Sequence, residues 1–494
     1  MIQLRFWRLL VGSLAISLTA SARADLLYFR SGGAIETPVS IEGESIVLEI
    51  PGARTAFLPS DFRKRIPGPT PMSLWEQHWR KAQGGPAAAG FEAIWWAIQH
   101  GLTFEVLDAI RELHRLAPNH PATTRMAATL RHLERPCADP EIAAFRKTLE
   151  FDAREARGPH VLLLHAQTDS EAEARIELLE RVVLGFYLTA SGEGLDLTVP
   201  RRRLVFAWFN DHRDYLRFLH TQQASAFATT RGYFHPTWNA VVAYDCRSTE
   251  THQTALASCR NRREELRRFR DRLRQIPPGA RLRVGLTGET PRTMNRAQAE
   301  ALADRVERDI LREELLLELD RRAIDDGTAA HEMVHLLAAN SGLIPRPDAF
   351  PVWLQEGLAT QFEVIRGGRW AGIGQTHDLR LPDWRKITPA PRLDPLIRDA
   401  GFGRGYQREP YAQAWALVYY LRSRQPAGFL KFLDLLRSPE DLHENPRNPA
   451  ERWVAAFHRA FGTDTASLEH DWHQFMATQK TPLERHASDE EPTP

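Results

Sequence analysis

The chain has 494 residues, 43% hydrophobic and 26% charged, and its 64 Lys+Arg against 63 Asp+Glu leave a net charge of +1. This composition excludes a wholly disordered, collagen-like or polytopic membrane chain and allows a sizeable core, spread over roughly two to four domains. Near-neutrality argues against a protein built to hold nucleic acid, and 3 Cys exclude a disulfide-dense scaffold or an all-cysteine, four-ligand zinc site.

Arg5 and Arg8 precede an apolar run from Leu9 to Ala20, and Ala22-Arg23-Ala24 follows. The pattern predicts a secretory signal over 1–24, cleaved before Asp25. The run is too short to span a bilayer comfortably, and no later stretch is long and apolar enough. The mature chain is therefore expected to be exported, periplasmic or extracellular, without a stable membrane span. In an oxidising space Cys246 and Cys259 can pair, leaving Cys137 odd, or all three stay unpaired; the spacing leaves both open.

Residues 25–66 read as a small β module: Leu26 to Phe29, a Ser31-Gly32-Gly33 turn, Ile46 to Ile50, and Thr55 to Leu58. A Pro-rich linker at 67–71 leads to a helical stretch over 72–135. There Phe91, Ile94, Trp95 and Ile98, then Val106, Ala109, Ile110 and Leu113, follow helical spacing. The layout resembles a tetratricopeptide helix pair over little more than one repeat; it reads as a protein-binding element or as a spacer packed on its neighbours.

Residues 141–476 read as the main domain, with strands at Val161–His165 and Leu204–Phe209, and a hairpin from Tyr233-Phe234 to Ala240–Tyr244. A helical insertion is expected at 255–322, where Arg and Glu alternate in sign as on a solvated, ion-paired face. The polar, Pro-containing segment 477–494 reads as a disordered tail. The expected fold class is thus α+β and multi-domain.

The chemistry is concentrated in Asp326-Gly327-Thr328-Ala329-Ala330-His331-Glu332-Met333-Val334-His335. Asp326 or Thr328 can cap a helix start, and Gly342 suits its end. Four apart on a helix, His331 and His335 share a face and can share one tetrahedral Zn²⁺. Glu332 can reach a metal-held water without ligating. A third ligand is needed. Ala338 and Ser341 stand where a metzincin needs Gly and His, which excludes that class. Glu356, in Trp353-Leu354-Gln355-Glu356-Gly357-Leu358-Ala359, follows at a distance that suits a second helix bringing a carboxylate back to the metal.

These motifs resemble the gluzincin clan of zinc peptidases. More closely, they resemble a bacterial family of uncharacterised exported gluzincin-like proteins, in which a Trp-x-x-Glu-Gly-Leu-Ala segment precedes a Tyr-x-x-x-Trp-Ala-Leu helix, here Tyr411 to Leu417. The likeness covers roughly 200–245 and 325–425. It implies a zincin-like domain with Zn²⁺ held by His331, His335 and Glu356 and with Glu332 as general base. It also implies a Tyr or His that stabilises the oxyanion, for which Tyr411 is preferred over His377 and Tyr406. An extended substrate adding to the strand Ala240–Tyr244 is likewise implied. The expected function is zinc-dependent peptide hydrolysis by an exported enzyme acting on a peptide or protein. The competing readings are a non-catalytic adaptor with a structural zinc and a hydrolase of non-peptide amides. No Walker loop, dinucleotide fingerprint or Gly-x-Ser-x-Gly elbow is present.

Overall fold

A computed structural model describes residues 24–50, 53–277, 279–285, 291–346, 349–402, 408–438 and 448–487. All of the expected signal but Ala24 lies outside these residues, as do Tyr406 and the last part of the expected tail. The chain is mixed α+β, mostly helical, with several small sheets.

Strands β1 (Ala24–Phe29), β2 (Ala34–Glu42), β3 (Ser45–Ile50), β4 (Ala53–Phe57) and β5 (Phe62–Ile66) form an antiparallel sheet ordered β4-β3-β2-β1-β5. Their alternating apolar positions, including Leu27, Phe29, Val39, Ile46, Leu48, Phe57 and Phe62, close on a core of their own. Four helices follow: α1 (Pro71–Ala82), α2 (Ala87–Gln99), α3 (Leu107–Leu116) and α4 (Pro121–Leu133). They do not stand alone. Ile94, Ile98, Ile110 and Met126 join one continuous core with Leu179, Val183, Leu337 and Trp415.

Next come α5 (Ala143–Thr148), β6 (Arg154–Arg157), β7 (Val161–His165), α6 (Asp169–Glu193), β8 (Leu204–Phe209), α7 (His212–Thr221), β9 (Gly232–His235) and β10 (Ala240–Tyr244). The sheet order is β6-β7-β8-β10-β9, with β7, β8 and β10 parallel and the two edges antiparallel. Every residue of β7, β8 and β10 is buried, as a strand covered on both faces requires. The expectation that Ala240–Tyr244 receives a substrate strand fails. β10 is hydrogen-bonded to β8 on one side and to β9 on the other, so β9 is the edge.

The expected insertion, 255–322, falls on α8 (Glu250–Arg274), a hairpin of β11 (Arg281–Val284) and β12 (Arg292–Asn295), and the first part of α9 (Arg296–Ser341), which runs 46 residues without a break into the histidine pair. No new helix starts at Asp326 or Thr328. Asn295 is the N-cap, and Asp326, expected to cap, is used sideways together with its neighbour Asp325. Asp325 accepts from the Cys246 amide at 3.0 Å and from Arg321 at 3.0 Å, and Asp326 pairs with Arg175. Ion pairs such as Arg262–Glu313, Arg263–Glu314 and Arg270–Asp304 zip α8 to α9. The β module rests on the middle of α9 through Leu315.

The remainder is α10 (Val352–Ala359), a 3-10 turn at Thr360–Phe362, a hairpin of β13 (Ile365–Arg366) and β14 (Arg369–Trp370), α11 (Arg380–Lys386), α12 (Leu393–Ile397), α13 (Arg408–Arg424), α14 (Pro426–Arg437), α15 (Pro449–Phe461), α16 (Thr465–Thr478) and α17 (Pro482–Ala487). The last helix corrects the expected loose tail over its own span. Tyr28 donates to the Leu483 carbonyl at 3.0 Å, and Glu484 pairs with Arg385. Cys137, Cys246 and Cys259 are buried free thiols. The pairing of Cys246 with Cys259 is therefore absent: Cys246 lies in the turn before α8 and Cys259 within that helix. Among the described residues no helix is long and apolar enough to cross a membrane.

Candidate metal centre

α9 ends at Gly342 in a left-handed conformation, φ +78°, so its last turns carry His331, Glu332 and His335 against the sheet and α10. His331 and Glu332 are buried. Glu356 comes from α10, whose first two amides, Val352 and Trp353, donate to the Asp399 carboxylate at 2.7 and 2.9 Å. Gly357 explains the Glu-Gly pair. A Cβ there would lie 2.6 Å from the Ala414 carbonyl oxygen of α13, so only glycine lets the two helices close and turn Glu356 toward α9.

Three ligand-type atoms converge. His335 Nε2 lies 3.0 Å from His331 Nε2 and 3.6 Å from Glu356 Oε2, and His331 Nε2 lies 3.0 Å from the same oxygen. Atoms bound about 2.0–2.2 Å from one tetrahedral ion stand about 3.3–3.6 Å apart, so the triangle is near the size that Zn²⁺ imposes. Glu356 Oε2 is buried and has only the two histidine Nε2 atoms beside it, at 3.0 and 3.6 Å. Lone pairs aimed at one buried point repel unless a positive charge sits among them. Without a metal that charge is a proton. Burial opposes charge on His331, yet Glu356 and Glu363 outweigh it and hold its pKa well above the ordinary value. Burial likewise opposes ionisation of Glu356, but His335 and His331 hold it well below the usual carboxylate range. The donor set fits a divalent cation.

Glu363 is the residue that the sequence reading passed over. Its Oε1 is 2.6 Å from His331 Nδ1. Its carboxylate also accepts from His377 Nε2 at 2.8 Å and from Arg380 at 3.0 Å. With a carboxylate on Nδ1, the neutral His331 ring keeps its proton there and leaves Nε2 bare for a metal. No local signal marks it: Glu363 follows the 3-10 turn that ends α10 and reads in the sequence as one more acid. His377 is fully engaged: its Nδ1 accepts from the Leu379 and Arg380 amides at 3.2 and 3.4 Å. It therefore supports Glu363 and is no donor to a substrate oxygen.

Glu332 stands beside the triangle rather than in it. Burial pushes its pKa up, the two histidines pull it down, and Glu356 and Glu363 push it up again, for a net rise. Gly232, the first residue of β9, packs on it; a Cβ there would lie 2.6 Å from Glu332 Cγ. The Tyr411 ring centroid is 6.4 Å from that of His331, and Arg380 lies over the Tyr411 ring at 5.4 Å. Burial, reinforced by Glu356, Glu332 and Glu363, raises the Tyr411 hydroxyl far above its usual range, so it remains a neutral donor. A second group, Asp245, Cys246 and Asp325, also comes together. Its carboxylates are taken by Arg247 and Arg321, and burial pushes the Cys246 thiol up, so it is a charge network and not a ligand set.

Residues 325–441 match the model of a family described as "Protein of unknown function (DUF1570)". The matched span holds His331, Glu332, His335, Glu356, Glu363 and Tyr411. It leaves out the β module, helices α1–α4 and the five-stranded sheet that carries β9. No curated protein and no solved structure matches the chain.

Proposed function

We propose that the chain is a zinc-dependent, gluzincin-type peptidase, exported through a signal at 1–24, with His331, His335 and Glu356 as ligands. The observation that carries this reading is the buried triangle of Nε2, Nε2 and Oε2 atoms, 3.0 to 3.6 Å apart, with Glu363 set on His331 Nδ1. Among the described residues three ligands converge, rather than the four of a structural zinc, which favours a site with an open position. That argues for an enzyme over the adaptor reading. When bound, the ion supplies a Lewis acid and acidifies a water.

The residues divide the remaining work. Glu332 accepts the proton of the attacking water and passes it to the leaving amine. Its burial favours the protonated form that must form midway. Tyr411, kept neutral, donates to the carbonyl oxygen as that oxygen gains charge. The edge strand β9, whose first residue touches Glu332, offers its unpaired side to an extended peptide.

The test is metal content of the purified protein, with peptide-library cleavage in the presence and absence of a chelator, beside Glu332→Gln. The variant should retain one zinc and the parent's fold while losing turnover by about a hundredfold or more. Cleavage by the variant at the parent's rate would remove Glu332 from the mechanism. Zinc-bound parent protein that cleaves no peptide but hydrolyses another amide would shift the substrate class.

A further inference from the structure

Both ends of the segment 363–377 meet at one carboxylate. Glu363 begins it and His377 ends it, with Nε2 2.8 Å from Glu363 Oε2. The limbs are held to each other and to the residues before them. The Ala371 amide donates to the Val364 carbonyl at 2.9 Å, the Gly374 amide to Gln361 at 3.0 Å, and Trp370 Nε1 to Phe362 at 2.7 Å. Lifting this loop off what it rests on is therefore transmitted to Glu363, and through it to His331 Nδ1.

Between its ends the loop is gripped by the amino-terminal parts of the chain. At Gly367, φ +55°, the position of a Cβ is closer to the Glu36 carbonyl oxygen of β2 than real Cβ contacts come. At Gly372, φ +96°, the same holds for the Gln99 carbonyl oxygen and the Gly101 amide, between α2 and α3. The Ile373 amide and Gln375 Nε2 both donate to that Gln99 oxygen, at 3.1 and 2.7 Å. A side chain at either glycine must lift the loop off backbone, which cannot yield as a flexible side chain can.

We infer that the β module and the α2–α3 turn are a brace for the metal centre, with Gly367, Gly372 and Gln375 as positioning residues that set Glu363 and so aim His331. The inference rests on the zinc reading above. It assigns the amino-terminal region a part in the site rather than independent partner binding. The glycines are needed because the brace contacts the loop backbone to backbone, and Gln375 locks the returning limb.

The test uses the full chain. Zinc affinity is measured by competition with a chelator, and ligand geometry by the visible absorption of the cobalt(II) form. Gly367→Ala and Gly372→Ala should weaken zinc binding about ten- to a hundredfold and alter the cobalt spectrum, as loss of a ligand's support does. Gln375→Ala, which introduces no clash, should move both readouts in the same direction by less. Gly374→Ala and Gly43→Ala are the controls. Both residues have positive φ, +67° and +59°, but open space where a Cβ would go. They should lower the melting temperature and leave zinc affinity and spectrum at parental values. Parental zinc affinity in both Gly372→Ala and Gln375→Ala, or a loss in Gly374→Ala equal to that in Gly372→Ala, would overturn the brace. Zinc held equally by the parent and by Glu356→Ala would instead sink the metal assignment beneath it.

Discussion

His331 and Glu363 face each other with Nδ1 2.6 Å from Oε1, and this contact decides which ring nitrogen of His331 looks toward His335 and Glu356. The carboxylate itself is held by His377 and Arg380. The order of command runs from Arg380 and His377 to Glu363 to His331, and only then to an ion.

Glu363→Gln should therefore weaken zinc without abolishing binding, by about ten- to a hundredfold, whereas Glu356→Ala, which removes a ligand, should lose more. Chelator competition on the two variants checks the order. Equal losses would mean that Glu363 ligates directly.

Gly232→Ala probes the general base through its neighbour. The added methyl would fall 2.6 Å from Glu332 Cγ and 3.1 Å from Thr328 Cγ2, so Glu332 must move. Displacement by about 1 Å costs on the order of a hundredfold in rate. The expected result is a fall in kcat with zinc stoichiometry and affinity retained; an unchanged kcat would show that Glu332 needs no fixed position.

Zinc binding should release protons and weaken in acid. In the metal-free protein Glu356 and Glu363, against the effect of burial, keep His331 charged to higher pH than an ordinary histidine. A ligand must be neutral, so the ion has to expel that proton, and affinity should climb with pH through the range above about 6.5. Calorimetry in buffers of different ionisation enthalpy counts the protons. Chelation should also lower the melting temperature, since free zinc at a hundred times its Kd adds about 2.7 kcal/mol of stability. Zinc affinity independent of pH between 5 and 8 would contradict a two-histidine site.

Away from the site, His160 and Glu180 form a fully buried pair, Nδ1 to Oε2 at 2.7 Å, with Nε2 on the Leu133 carbonyl at 2.8 Å. The pair ties the end of α4 to α6 and β7. Burial lowers the His160 pKa, but the Glu180 charge and hydrogen bond outweigh it, for a net rise. A raised histidine contributes stability that is complete below its unfolded pKa of about 6.5 and is lost as pH climbs through the folded value. His160→Leu should cost about 3–5 kcal/mol at pH 6 by leaving the buried Glu180 charge without its counter-ion, held only by the His160 and Val161 amides at 2.7 and 3.0 Å, and less in alkali. Urea unfolding of both proteins at pH 6 and 9 measures it; a deficit that grows with pH would reverse the assignment.

Expected export has a simple check of its own. The amino terminus of the secreted protein, read by mass spectrometry, should be Asp25. A chain retaining Met1 after export would make the first segment an anchor.

The sequence alone determined what depends on helical period: His331, Glu332 and His335 are neighbours because residues four apart share a face, whatever surrounds them. It also placed Glu356-Gly357 in a second helix, and Gly342 at a helix end. What it left open was settled by contacts between residues far apart in the chain. Asp326 and Thr328 look like caps locally, yet Arg175 takes the Asp326 carboxylate and α9 runs straight through. Glu363 reads as one more surface acid until the fold sets His331 against it. β10 and β9 are alike as apolar strands, and only pairing with β8 makes one interior and the other the edge. Gly367 and Gly372 read as turn residues until β2 and the α2–α3 turn close on them. Local periodicity is written in adjacent residues, whereas strand order, close approach and the pairing of buried charge exist only once distant segments have packed.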